Sequence, residues 1–250
     1  MSIPTQTEMN RKRTARAKRT SVNGEKAAAA RAMAGRSQAA PRDPVRTRRR
    51  ILRIAADEFA NRGFDGARVD EIVRRSKVSK NLIYHYFKSK DALFVSVLED
   101  AYASLRTRQE AMGLKQGDAI SSIRKLIIDS FNYWSKSKDF ISYLNSENFH
   151  KARHIKKSAA IKDAYPSLIE NVRYVLQKGE REGVFRPGVD PIQLYISVSA
   201  LAYHFFSNQH TFSVIFSQDF TSQKMLMKRL EHVEDVILGY LQYKPKDNKK

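Results

Sequence analysis

Residues 79–94 read SKNLIYHYFKSKDALF, with the rings of Tyr84, Tyr86 and Phe87 packed into four positions and lysines at 80, 88 and 90 around them. A core helix would use the rings and not the lysines, whereas a helix lying against nucleic acid uses both. Read as a short helix from Lys80 to Phe87, with Ser79 as its cap, the stretch has two sides. Ile83, Tyr86 and Phe87 fall inward, and Lys80, Asn81, Tyr84 and His85 fall outward. The inner residues hold the helix to its neighbours. The outer ones form a polar, partly aromatic surface able to enter a major groove with the N-terminal turn leading.

The residues before this stretch supply those neighbours. Asp43 can cap a helix and Pro44 suits its first position, where a missing N–H leaves nothing unsatisfied. Ile51, Ala55 and Phe59 then recur at four-residue spacing, and Arg62-Gly63 offers a cationic last turn and a left-handed stop, so the spacing predicts a helix over 44–62. After the loop FDGA, Val69, Ile72 and Val73 form the apolar edge of a short helix to about Ser76, and Val78 punctuates a turn. Two short helices joined by a tight turn make a helix-turn-helix.

The run ILRIAADEFANRGFDGARVDEIVRRSKVSKNLIYHYFKSKDALF resembles the DNA-binding domain of the tetracycline-repressor (TetR) family of bacterial transcription regulators, over about residues 46–98. The resemblance implies an all-α protein: a three-helix DNA-binding domain, a long fourth helix, and a helical ligand-binding and dimerisation domain. It also implies a homodimer on double-stranded operator DNA that a small-molecule inducer releases. It places Lys80, Asn81, Tyr84 and His85 at base-reading or nearby phosphate positions, and Tyr86 and Lys90 at backbone positions. Arg46, Arg48, Arg68 and Ser79 complete the expected DNA-facing set.

Two positions depart from the family's usual pattern. Ala67-Arg68 stands where Thr-Ser is common, which removes a hydroxyl cap and sets a cation near a helix N-terminus, a favourable place only beside an anion. Lys77 stands where the turn usually has Gly, at a cost of about 1 kcal/mol if the backbone there is left-handed.

Charge supports a polyanion partner. The 250 residues carry a net charge of +20, and fifteen of those excess charges fall within the first 90 positions. A concentrated basic end is the electrostatic footprint of a nucleic-acid binder, whereas a solubility device would spread its charge. Residues 1–43 are rich in Arg, Lys, Ala, Ser and Thr without apolar periodicity, and are predicted to be a disordered basic arm. The expected organisation is that arm, a DNA-binding domain over 44–90, a helical ligand-binding and dimerisation domain over 91–243 and a basic tail over 244–250. With no cysteine, no run of about 18 apolar residues and no apolar segment following the N-terminal charges, the expectation is a soluble cytoplasmic protein without membrane association.

Helical patterns continue to the end of the chain. Phe94, Val97, Leu98, Ala101 and Leu105 predict a long helix from Asp91 to about Met112, which GLKQGD breaks. Ile120, Ile123, Ile127, Phe131 and Trp134 predict the next one, and AYPSLIENVRYVLQKGEREG a further one ending at Gly183. Asp190-Pro191 caps a helix expected to reach about Ser207, with apolar residues along two sides: Leu194, Val198, Leu201 and Phe205 on one, Ile192, Tyr195 and Ala202 on another. The last stripe, Leu226, Leu230, Val233, Ile237 and Tyr240, is a packing seam. Two sides need two partners, and these last two helices are the expected homodimer surface.

An enzyme is the weakest reading. ENFHKARH sets Glu147, His150 and His154 at helical spacings, but with no further ligand and no HExxH arrangement, no metal is expected. No phosphate-cradling glycine loop, nucleophile elbow or cofactor signature is present. A ligand-gated repressor therefore leads, ahead of a constitutive DNA-binding or nucleoid-associated protein. Trp134, Phe140, Tyr143, Phe149, Arg153 and His204 lie on helices that line the ligand pocket in the resembled family. Arg153 beside so many rings suggests an aromatic or carboxylate-bearing inducer.

Overall fold

The computed structural model describes residues 43–162 and 166–243, and among these every regular element is helical. The arm expected over 1–43, apart from Asp43, and the tail expected over 244–250 lie outside the described residues. The chain divides into two units, one ending at Thr47, of which residues 43–47 are described, and one beginning at Arg48. In the first, the Asp43 carboxylate accepts from the amides of Val45 at 2.9 Å and Arg46 at 3.2 Å, capping α1, Pro44–Gly66.

The expected stop at Gly63 is present, but the chain resumes helix after it. Gly63 takes φ 63° and ψ 178°, a backbone region open essentially to glycine alone, so α1 breaks there and continues to Gly66. The break turns Phe64 inward, parallel to Phe59 at 6.2 Å and tilted against Phe94 at 5.3 Å. The helix-turn-helix follows as α2, Val69–Ser76, and α3, Lys80–Phe87. The Ser79 hydroxyl accepts from the Leu82 amide at 3.2 Å, as the sequence suggested, and Ser89 does the same for Ala92 at the start of α4, Lys90–Ala111. Ile51, Ala55, Phe59, Ile72, Ile83 and Phe87 share one buried cluster with Leu93 and Phe94, so the base of α4 belongs to the core of the head.

GLKQGD forms a single 3-10 turn, Leu114–Gln116, after Gly113 at φ 61°. The body then comprises α5, Ala119–Lys136; α6, Lys138–Phe149; a 3-10 turn, Ile155–Lys157; α7, Ala159–Lys162; α8, Pro166–Arg181; α9, Pro191–Ile215; and α10, Gln223–Gln242. A second cluster gathers Ile123, Leu126 and Ile127 of α5 with Val172 and Val175 of α8, Leu194 and Val198 of α9, and Val233, Ile237 and Leu241 of α10. The α8 seam is close enough that a Cβ on Gly179 would fall 2.0 Å from the Phe185 ring. Helix α9 runs well past the expected end near Ser207, because residues 208–215 contain neither Gly nor Pro to stop it. No helix among the described residues is long and apolar enough to cross a membrane.

Candidate nucleic-acid interface and the contacts that aim it

Helix α3 presents the polar face its sequence suggested. Ile83 and Phe87 are buried, while Lys80, Asn81 and His85 are exposed and Tyr84 is half-buried. Tyr86 differs from the expectation: it lies half-buried at the edge of the core, its ring against that of His85 at 5.5 Å, because Ile83 and Phe87, four residues apart, take the centre of the inner side and Tyr86 falls beside it. Lys80 does not project freely. Its ammonium stands 2.9 Å from the Asp70 carboxylate of α2, and that hydrogen bond raises its pKa.

The two departures from the usual pattern have structural answers. Lys77 takes φ 53° and ψ 39°, so a residue with a side chain does occupy a left-handed turn. Arg68 is the N-cap of α2 without a side-chain capping bond, and its backbone amide donates at 3.1 Å to Glu58. Glu58 is itself buried, with Arg62 and Arg75 at 3.8 and 3.9 Å. A buried carboxylate thus satisfies an amide at the turn, in place of the missing hydroxyl cap. Nothing in the local pattern around Glu58 marks it for this role.

Lys90, expected near the DNA backbone, is partly engaged within the head. Its ammonium donates to the Asp65 carbonyl at 3.3 Å and lies 4.8 Å over the Phe64 ring, and desolvation lowers its pKa. The Arg48 guanidinium covers the Phe87 ring at 5.0 Å. Arg46, in the first unit, is exposed.

A seam missed at the sequence level joins the head to the body. Across the break in α1, the hydroxyls of α6 take up backbone groups at four-residue intervals: Tyr143 donates to the Ala56 carbonyl at 2.8 Å, Ser142 to the Ala60 carbonyl at 2.7 Å, and the Phe64 amide donates to Ser146 at 3.2 Å. Ser142 and Ser146 lie one helical turn apart and so meet the equally spaced Ala60 and Phe64. The only sequence signal was that serine spacing, which is common on solvated helix faces.

Glu147, His150 and His154 do not converge on one point. Glu147 and His154, both fully buried, pair with each other, and the Glu147 carboxylate also accepts from the amides of His154 and Ile155 at 3.1 and 3.0 Å. It thereby holds a loop in which Lys151 and Ala152 both take positive φ. His150 turns instead to the Asp65 carboxylate at 3.0 Å, adding to the seam. Among the described residues no group of three or more such side chains could hold a metal ion.

The six residues expected at a ligand pocket are scattered. Trp134 and Phe140 stack at 5.8 Å in the core, and Tyr143 is buried with them. Phe149 is 81% exposed, and Arg153 lies on the surface, 3.5 Å from the Asp91 carboxylate and 5.3 Å over the Phe64 ring. His204 is exposed on α9. Phe140 and Tyr143 do border an open cavity of about 880 Å³, which Arg53 and Ala56 of α1, Val97 of α4 and Tyr133 of α5 also line.

Comparison with known proteins fits this arrangement. Residues 51–97 match the profile described as bacterial regulatory proteins, tetR family, and residues 120–237 match that of the tetracyclin repressor-like C-terminal domain. The chain is 30% identical over 193 residues to the HTH-type transcriptional repressor NicS of Pseudomonas putida, covering 77% of this chain and 91% of that protein. It is 31% identical over 153 residues to the HTH-type transcriptional regulator YdgC of Bacillus subtilis, covering 58% and 72%. The ketosteroid transcriptional regulator KstR2 of Mycobacterium tuberculosis has a similar fold, with a TM-score of 0.57 at 19% identity over 79% of this chain and 95% of that one. A helix-turn-helix head riveted to an all-helical body is thus more than a likeness: the chain belongs to the tetR family of bacterial regulatory proteins and is a DNA-binding transcription regulator, not an enzyme.

Proposed function

We propose that this protein is a homodimeric, cytoplasmic repressor that reads a palindromic operator with α3 and releases it when a small molecule binds the body. The observation that carries the DNA-reading part is the exposed face of α3, on which Lys80, Asn81 and His85 stand clear of the core while Ile83 and Phe87 fix the helix beneath them. In this reading Lys80, Asn81, Tyr84 and His85 meet bases or adjacent phosphates. Arg46, Arg48, Arg68, Ser79, Tyr86 and Lys90 serve the backbone. Exposed apolar residues on α9 and α10, among them Ile192, Ile196, Met227 and Tyr240, support a dimer through those helices. Two heads would then set their α3 helices about 34–36 Å apart, one turn of DNA.

The open cavity between α1, α4 and the α5–α6 junction supports the gating part, because an occupant there would press on α1 and α4 together. It can weaken DNA binding only by favouring the conformation that does not fit the operator, and a coupling of about 1–3 kcal/mol would weaken it roughly 5- to 150-fold. Arg153 no longer argues for a carboxylate ligand in that cavity, since its guanidinium is taken up by Asp91 and Phe64. Selection from randomised duplexes tests the reading. A symmetric site that changes for Lys80→Ala and Asn81→Ala is expected; one recovered unchanged by both variants would overturn the α3 assignment.

A further inference from the structure

At the turn between α9 and α10, four phenylalanines build a cup that the DNA-reading function does not use. Phe212, Phe216 and Phe220 stand with ring centroids 5.8–5.9 Å from one another, and Phe205 closes the floor 5.9 Å from Phe220. The cup encloses about 310 Å³, and its remaining walls include His204, Lys228, Arg229 and His232. Every titratable side chain lining it is therefore a cation or a histidine, and none is a carboxylate.

Arg229 makes the arrangement specific. One of its terminal nitrogens donates to the Leu201 carbonyl at 2.9 Å, and the guanidinium lies 5.7 Å from the centre of the Phe205 ring. Its Nε is buried without a hydrogen-bond partner. Burial alone pulls its pKa down, with no acidic group offsetting it. A partly desolvated guanidinium without a counter-ion is costly, and such groups are found where an anion can arrive to pair with them. Rings give stacking area to a flat ligand, and a guanidinium matches a carboxylate's two oxygens in a fork. Phe216 is more than half exposed in the single protomer, at the rim of the cup.

We infer that this cup is a second ligand site, separate from the α1–α4 cavity, and that it binds a small aromatic carboxylate whose ring lies among Phe212, Phe216 and Phe220 and whose carboxylate pairs with Arg229. The inference stands apart from the gating reading, because binding can be measured without DNA.

Calorimetric titration of the full chain, free of DNA, with 1-naphthoate and with its neutral isostere 1-naphthamide tests it. The acid is expected to bind saturably at millimolar concentration or below, and the amide about tenfold more weakly or worse, as for loss of a charge-assisted bond. Arg229→Gln should abolish that preference, Arg229→Lys should keep part of it, and Phe216→Ala should weaken acid and amide alike. In the unaltered protein, transferred NOEs should place naphthoate protons against Phe216 and Phe220. Equal binding of acid and amide, no saturable binding of the acid, a preference that survives in Arg229→Gln, or NOEs to Tyr133 and Phe140 in their place would each overturn the assignment. Operator binding that stays intact through any of these failures would leave the DNA-reading function untouched.

Discussion

The Tyr143 hydroxyl donates to the Ala56 carbonyl at 2.8 Å, so that a side chain of α6 grips the backbone of the first helix of the DNA-reading head. With Ser142 and Ser146 alongside, the grip spans two turns of α1 and straddles its break at Gly63. Each such bond is worth a net stabilisation of about 0.5–1.5 kcal/mol. The pair of changes Ser142→Ala and Tyr143→Phe should lower stability by about 1–3 kcal/mol in urea unfolding. Operator affinity should fall more than affinity for random DNA, since a less firmly aimed α3 loses base contacts before it loses charge. Equal losses on both DNAs, in a competition assay, would show that the seam only stabilises the fold.

Lys80 is held at 2.9 Å by Asp70, and DNA must compete with that carboxylate for it. Asp70→Asn should therefore strengthen binding to all duplexes and steepen its dependence on salt, because one more ammonium becomes available to phosphates. The same change removes a favourable charge from the first turn of α2, costing about 0.3–1 kcal/mol of stability. Affinity measured across a salt series, beside thermal unfolding, separates the two effects; weaker binding at every salt concentration would argue against Lys80 meeting the DNA.

Lys77 and Gly63 should respond in opposite directions. Lys77→Gly relieves a left-handed residue at φ 53° and is expected to stabilise the head by about 1 kcal/mol. Gly63→Ala meets no neighbouring atom within 4 Å, so its cost is that of the backbone alone, about 1–3 kcal/mol. Chemical denaturation of the two variants checks both signs, and a neutral Gly63→Ala would contradict the described break.

Alkaline pH should unfold the protein through buried phenols. Burial pushes the pKa of Tyr102 and that of Tyr133 up to about 12 from an ordinary value near 10, and that of Tyr143 also upward. The folded state then holds protons that the unfolded chain releases. Stability is accordingly full below about pH 10 and falls between about pH 10 and 12, by up to about 1.4 kcal/mol per pH unit for each such tyrosine. Tyr133→Phe should make that fall shallower; an unchanged slope would remove Tyr133 from the account.

The head was legible in the sequence because each of its determinants is local. Ser79 caps α3, Asp43 and Pro44 open α1, and the four-residue spacing of Ile51, Ala55 and Phe59 describes the face that is buried. The contacts of the body with the head were not legible, since they join residues more than 80 positions apart through backbone groups that no side-chain pattern records. The ligand residues show the same limit. Phe149 and Arg153 sit in a run of rings and charges, yet one is exposed and the other is spent on Asp91, whereas the aromatic cup between α9 and α10 is lined by Lys228 and Arg229. Helical periodicity tells which side of a helix is apolar, not which of several apolar sides remains uncovered.

The seam between α6 and α1 also bears on how the head can move. An object hung from a single hinge can swing about any axis through it; one hung from two can turn only about the line that joins them. The head is fastened to the body covalently through α4 and again by the three hydrogen bonds to α6. A change in the angle between α4 and α6 would therefore be passed to the head, and with it to α3.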